Sequence, residues 1–267
     1  MNILEEIAAA KAKELEICKK NVSIKSLEKS EFFNRKTISL RETLKQSPTG
    51  IIAEFKRKSP SKGWINQNAR TETVCSAYQR AGASALSVLT NSEYFGGSPN
   101  DVMAARRVTT LPILRKEFVI DEYQIIEAKA IGADAVLLIA ALLSPQQVKN
   151  LATTAKKLGL ESILEIHNDE ELDRLTYNVD MVGINNRNLA DFKVDTTPSF
   201  KLGEILPKDF LKISESGLSE PATISDLRLV GFRGFLIGQT FMQESTPGIA
   251  CKNFIDRLNL FLPDKNV

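Results

Sequence analysis

From residue 50 onward the chain repeats one pattern of apolar and polar positions. A stretch with helical spacing ends at a glycine, and one or two residues later a short apolar run begins. Arg80-Ala81-Gly82 leads into Ser84–Leu89, Ala130-Ile131-Gly132 into Asp134–Ile139, Lys157-Leu158-Gly159 into Glu161–Ile166, and Leu229-Val230-Gly231 into Arg233–Ile237. Glycine just past a helix end is what a left-handed C-cap requires. Ala135-Val136-Leu137-Leu138-Ile139 is almost continuously apolar; strands covered on both faces read this way, as in parallel sheets. Further strands are predicted at Gly50–Lys56, Pro112–Lys116, Asp180–Ile184 and Leu211–Glu215. Helix starts agree: Asp121-Glu122-Tyr123-Gln124 and Asn168-Asp169-Glu170-Glu171 have the form of capping boxes, and Ser144-Pro145-Gln146-Gln147 adds Pro at a first helical position. About eight strand–helix units in about 220 residues are the count and size of an α/β (β/α)8 TIM barrel. A doubly wound open sheet would require a Gly-rich dinucleotide loop after an early strand, and the sequence has no G-x-G-x-x-G.

Before this rhythm begins, apolar residues at Ile3, Leu4, Ile7, Ala8, Leu15 and Ile17 fit an amphipathic helix. A second short helix is predicted after Ser39 through Leu40 and Leu44, and Gln46-Ser47-Pro48-Thr49-Gly50 then breaks the helical pattern. The expected organisation is a single barrel domain over residues 1–267, with an N-terminal helical extension at 1–47 packed on a barrel at 48–267.

Composition narrows the chemistry. Hydrophobic residues at 43% and charged residues at 25% of 267 are ordinary for a globular chain, and a net charge of +2 gives no argument for nucleic acid or a membrane surface. No apolar run approaches the ~20 residues that span a bilayer, and Glu5, Glu6, Lys11 and Lys13 interrupt any secretory h-region. Cys18, Cys75 and Cys251 are odd in number and far apart, which predicts free thiols in a reducing cytoplasm. His167 is the only histidine, so a histidine-built zinc site is not expected, and acid–base chemistry falls to Lys, Glu and Asp.

Barrel active sites lie at the carboxyl ends of the strands. There the sequence places Glu54, Lys56 and Ser59; Tyr94-Phe95 with Gly96-Gly97-Ser98; Lys116-Glu117-Phe118; Glu165 and His167; Asn185 and Arg187; Glu215-Ser216-Gly217; and Gly238-Gln239. A spacing of two puts Glu54 and Lys56 on one strand face, as an exposed salt bridge or as part of a site. Lys56, Lys116, Glu54 and Glu165 all project at one mouth, where Lys and Glu shift each other's pKa and act as acid and base; singly, each reads more readily as a structural charge, and it is their convergence with a phosphate site that favours catalysis. Ser216-Gly217 and Gly238-Gln239 stand where many barrels bind phosphate, with glycine letting backbone N–H groups approach the anion. Tight turns are the alternative. His167 reads as a satisfied strand-end histidine. Trp64 and Tyr94-Phe95 either cover an aromatic substrate or cap the barrel.

These residues resemble a family. Glu54-Phe55-Lys56-Arg57-Lys58-Ser59-Pro60-Ser61-Lys62-Gly63 is similar to the signature of indole-3-glycerol phosphate synthases. The likeness continues through Tyr94–Ser98, Pro112–Phe118, Gly132–Ile139, Glu165-Ile166-His167, Gly183–Leu189, Glu215-Ser216-Gly217 and Phe235–Gly238, in matching order. It implies a tryptophan-pathway lyase that closes the ring of 1-(2-carboxyphenylamino)-1-deoxyribulose 5-phosphate with loss of carbon dioxide and water, using no metal and no organic cofactor. It implies Lys116 as general acid at the ketone oxygen, Glu165 as the matching base or a stabiliser of the cationic intermediate, and Lys56, paired with Glu54, near the substrate carboxylate. Asn185 and Arg187 are implied at the substrate, Ser59 and Phe95 as binding residues, and Ser216, Gly217, Gly238 and Gln239 at the phosphate. A Lys acting near neutral pH is expected to have its pKa lowered by burial or another cation.

Glu117 stands where Asp is usual, and Gln239 where Glu, Ser or Ala is frequent. With no second barrel after Val267 the chain is expected to be monofunctional, and a monomer. Ser59-Pro60-Ser61-Lys62-Gly63 has the composition of a mobile lid. The alternatives are a related sugar-phosphate isomerase barrel such as phosphoribosylanthranilate isomerase, which would want a Cys/Asp or Asp/Asp pair at the strand ends, and a non-catalytic barrel, which would be expected to lack Lys116 or Glu165.

Overall fold

The computed structural model describes residues 3–188 and 192–262, with side chains from residue 6. The motif residue Leu189 and the side chains of Ile3 and Leu4 lie outside the described set. Eight parallel strands close a barrel: β1 (Ile51–Phe55), β4 (Ala85–Leu89), β5 (Ile113–Lys116), β6 (Ala135–Ile139), β7 (Glu161–Ile166), β8 (Met181–Asn185), β9 (Leu211–Glu215) and β10 (Phe232–Ile237). β10 pairs back onto β1, Ile52 opposite Leu236. Each predicted strand is present within a residue or two of its expected limits. Between β1 and β4 the loop folds into a small antiparallel hairpin, β2 (Lys58–Ser59) with β3 (Gly63–Trp64), which the apolar pattern did not foretell.

The two-residue period of a strand divides the core into two layers. Ile51, Ala53, Phe55, Leu86, Val88, Val136, Leu138, Leu164 and Ile166 pack outward against the helices. The other phase, Ile52, Ala85, Leu114, Leu137, Ile163, Met181, Ile213 and Leu236, fills the barrel interior. Continuing that inner phase toward the carboxyl ends reaches Glu54 and Lys56, Lys116, Glu165, Asn185 and Glu215, so the register that builds the core also aims the charges.

Helices follow the strands as the capping signals require. Gly82, Gly132, Gly159 and Gly231 all take positive φ, between 73° and 95°, and the boxes at Asp121/Gln124 and Ser144/Gln147 are both closed. Asn168 departs from expectation. Its side chain accepts from the Glu171 N–H at 3.2 Å, but the Glu171 carboxylate reaches past the cap to the His167 N–H at 2.8 Å. A 3-10 segment, Asp169–Arg174, forms there in place of an α-helix.

The N-terminal segment wraps the barrel from top to bottom. Helix α1 (Ile3–Asn21) buries Ile7, Lys11 and Leu15 at intervals of four, whereas Ile17 is 61% exposed. Lys11 belongs to the buried stripe because Glu117 receives it, Nζ to Oε1 3.2 Å. The chain then descends the side to a short helix, Leu40–Gln46, whose Leu40 and Leu44 join the interior core at the amino ends of the strands. Asp134, fully buried, ties this path down. Its carboxylate pairs with Arg35 (2.6 Å) and Arg106 (2.8 Å) and accepts the N–H groups of Ile38 and Ile113, both at 2.8 Å. Removing one member of such a buried network strands the others without solvent. Asp134→Ala is therefore expected to cost roughly 3–5 kcal/mol, read as a lowered midpoint in equilibrium denaturation; an unchanged midpoint would show the anchor to be dispensable.

Candidate active site

A cavity of about 410 Å³ opens at the carboxyl ends of the strands. It is lined by Glu54, Lys56, Ser59, Phe95, Lys116, Glu165, Asn185, Arg187, Ser216, Gly217, Gly238 and Gln239. Every residue that the motifs single out for substrate, phosphate or acid–base work thus faces one space. Lys56 and Glu54, sharing a face of β1 and the turn after it, pair at 2.7 Å.

Lys116, at the end of β5, is the centre of the charge arrangement. Its Nζ donates to Glu165 Oε2 on β7 at 2.9 Å and, in a tighter contact, to Glu215 Oε2 on β9. Burial alone would lower the Lys116 pKa, but Glu165, Glu215 and Glu54 outweigh it and raise it above the ordinary lysine value. This overturns the expected lowered pKa: the neighbours that decide it are anions, not another cation. Burial also pushes Glu165 upward, but Lys116 and then His167, with an Asn185 side-chain hydrogen bond, hold it well below the usual carboxylate range. For Glu215 burial prevails over Lys116, Glu165 and Glu54 add their repulsion, and the pKa is pushed up to about 7. Two carboxylates thus share one ammonium, and the later of the two carboxyl protons leaves near neutrality.

Two glycines make room for these carboxylates. A Cβ on Gly183 would stand 2.6 Å from Glu215 Oε1, and one on Gly238 would stand 2.3 Å from Glu54 Oε1. The residue type at 238 is thus fixed by the neighbouring acid, since its φ of −121° suits any residue. Ser216 and Gly217 differ: both are left-handed, φ 68° and 75°. For Ser216 that conformation is uncommon; its Oγ donates to Asn185 Oδ1 at 2.9 Å. The short helix Gln239–Met242 starts in the same lining, and its first N–H groups, at Gln239 and Thr240, have no partner within the helix.

At the rim, Arg187 Nη1 donates to the Phe192 carbonyl at 3.1 Å and lies 3.5 Å from Ser61 Oγ of the β2–β3 turn. Phe95 packs on Phe118, ring centroids 6.1 Å apart, and both line the cavity. Trp64 does not line it; the ring is half exposed, with the Lys58 ammonium 5.8 Å from its centroid. Ile7 of α1 also lines the cavity, so the N-terminal helix is part of the wall. Reasoning from sequence placed Glu215 and Phe118 at the mouth without giving either a role, and left Ile7 out. The signal for Glu215 is an acid at the end of Leu211-Lys212-Ile213-Ser214-Glu215, in the inner phase with Leu211 and Ile213.

Known proteins place this geometry in context. The profile of the indole-3-glycerol phosphate synthase family matches residues 4–254. An indole-3-glycerol phosphate synthase of Bacteroides thetaiotaomicron is 50% identical over 254 residues, covering 95% of this chain and 98% of its own. One from Carboxydothermus hydrogenoformans is 38% identical over 256 residues, covering 92% and 97%. Among solved structures, a thiamine phosphate pyrophosphorylase from Pyrococcus furiosus superposes with a TM-score of 0.60 at 14% identity, over 84% of this chain and 100% of that one, a likeness of fold. With its family profile matched from residue 4 to residue 254, the chain belongs to the indole-3-glycerol phosphate synthase family.

Proposed function

We propose that this chain is a carbon–carbon lyase of tryptophan biosynthesis. It closes 1-(2-carboxyphenylamino)-1-deoxyribulose 5-phosphate to indole-3-glycerol phosphate, with loss of carbon dioxide and water. The observation that carries the reading is the Lys116 ammonium, buried between Glu165 and Glu215 in the same cavity as the Lys56–Glu54 pair.

Each group has work that suits its surroundings. The ring carbon bearing the carboxylate attacks the ketone, and Lys116 gives a proton to the oxygen as negative charge builds on it. Carbon dioxide then leaves and the ring regains aromaticity. In the dehydration the former ketone oxygen departs as water, with Lys56 supplying the proton and Glu165 accepting the one released from the ring system. Lys56 and Arg187 attract the substrate carboxylate before it is lost, and the unpartnered Ser59 Oγ is available to the same end of the substrate. Asn185 meets substrate hydroxyls, Phe95 and Phe118 pack on the anthranilate ring, and Ser216, Gly217, Gly238 and Gln239 hold the phosphate.

Glu215 joins this set as the group that sets the acidity of Lys116. Ionised, it holds the ammonium proton; neutral, it releases part of that hold. No helix among the described residues is long and apolar enough to cross a membrane, and Cys75 and Cys251 are free and buried, which fits the reducing cytoplasm.

The direct test is fluorescence-detected formation of indole-3-glycerol phosphate from the carboxyphenylamino-deoxyribulose phosphate without added metal; no product from folded protein would overturn the reading. Lys116→Ala is expected to lower kcat by roughly 10³-fold or more while a phosphorylated substrate analogue still binds. Retained turnover would remove Lys116 from the acid role. In the parent enzyme kcat is expected to fall as pH rises through about 7, because ionisation of Glu215 tightens the Lys116 proton. Glu215→Gln should flatten that limb, and Gly183→Ala, which drives a methyl group toward the Glu215 carboxylate, should weaken it. An unaltered alkaline limb in Glu215→Gln would assign the titration elsewhere.

A further inference from the structure

The only histidine of the chain stands directly behind the proposed base. His167 continues the inner phase of β7 two residues beyond Glu165, and its ring is almost wholly buried. Its Nε2 faces Glu165 Oε1 at 3.4 Å, and its Nδ1 faces Glu171 Oε2 at 3.3 Å. Glu171 is itself pinned, since the same oxygen accepts the His167 backbone N–H at 2.8 Å. That bond takes the place of the reciprocal contact that a capping box would make with Asn168. A histidine that merely filled space would be expected to stay neutral and donate to a carbonyl. This ring lies between two carboxylates from two elements, and its Nε2 has no hydrogen-bond partner of its own.

We infer that His167 is a positioning residue of the reaction: a buried imidazolium that holds Glu165 Oε1 from behind while Lys116 holds Oε2 from the front, with Glu171 fixing the ring. The charged groups facing the ring are Glu165 on β7, Glu171 on the 3-10 segment and Glu215 on β9, with Lys116 of β5 beyond Glu165. Burial opposes the charge on His167, and these three carboxylates outweigh it and raise its pKa. The inference rests on the roles proposed for Lys116 and Glu165 and gives Glu165 a property they need. When Lys116 gives up its proton, Glu165 loses the cation in front of it. The imidazolium behind it keeps the carboxylate ionised and in place, ready to take a proton in the following step.

Since the chain has one histidine, an untagged sample with isotope-labelled histidine shows a single imidazole that can be titrated by NMR without substrate. Its midpoint is expected above the free-histidine value of about 6.5. It should fall by roughly one pH unit in Glu165→Gln and again in Glu171→Gln, each removing a carboxylate that stabilises the charge. In kinetics, His167→Gln is expected to lower kcat roughly tenfold with KM changed less than about twofold, and to move the acid limb of kcat to higher pH, because Glu165 then protonates more readily. A midpoint at or below about 6.5 that ignores Glu165→Gln, or an unchanged acid limb in His167→Gln, overturns the inference. Absence of turnover in the parent chain would count against the assigned reaction alone, since the imidazole titration is read without substrate and decides the histidine's charge on its own.

Discussion

An ammonium removed from water costs several kcal/mol unless anions and hydrogen bonds replace the solvent around it. Lys116 is such a group, and the barrel's register is what solves its solvation. β5, β7 and β9 are not neighbours of one another in the sheet; each is separated from the next by one strand. A contact among Lys116, Glu165 and Glu215 therefore crosses the barrel interior, and it exists only while the intervening strands keep their pairing. A one-residue slip in any of them would turn its charge outward into the helix layer. The apolar interior beneath them is the platform that holds three charged ends at hydrogen-bond distance.

The same demand reaches positions that carry no charge. Gly183 and Gly238 are glycine because Glu215 and Glu54 occupy the volume a Cβ would take. At the rim of β5, Glu117, which also lines the cavity, meets Lys11 and the Thr90 hydroxyl, 2.7 Å from its Oε2. The N-terminal helix is thus tied to the residue following the central lysine. Below, the Leu40–Gln46 helix closes the interior that supports the same strands, and Asp134 joins that path to β5 through the Ile113 N–H. Extension and barrel meet at both ends of the strand that bears Lys116.

How much of this was legible in the sequence follows from the range of each interaction. The strands, the helix stops at Gly82, Gly132, Gly159 and Gly231, and the pairing of Glu54 with Lys56 are local, set by a period of two or by one backbone conformation. They could be read directly. Lys11 in the buried stripe of α1 could not, because its burial is decided by Glu117, over a hundred residues away. The glycine at 238 suggested an anion site, yet its residue type is set by a side chain on β1 across the barrel seam. Asn168 satisfied a local capping pattern, but the Glu171 carboxylate bonds the His167 N–H rather than the cap, and the segment that follows is 3-10. Glu215 was visible as an acid at a strand end, but its weight comes from sharing an ammonium with Glu165.

That sharing also explains why a lowered lysine pKa was the wrong expectation for the general acid proposed at Lys116. A general acid must first be protonated, and a solitary buried lysine would lose its proton to desolvation. Carboxylates on both sides keep the proton on Lys116 in the resting protein, at the cost of holding it too firmly. The cost is reduced when one carboxylate is itself near its titration point, because neutralising Glu215 weakens the hold without moving an atom of the lysine. An acid flanked by two bases of unequal pKa is thus both stably loaded and able to release its proton. The inequality arises from position alone: Glu165 is also held by Asn185 and His167, whereas burial and the neighbouring acids prevail at Glu215.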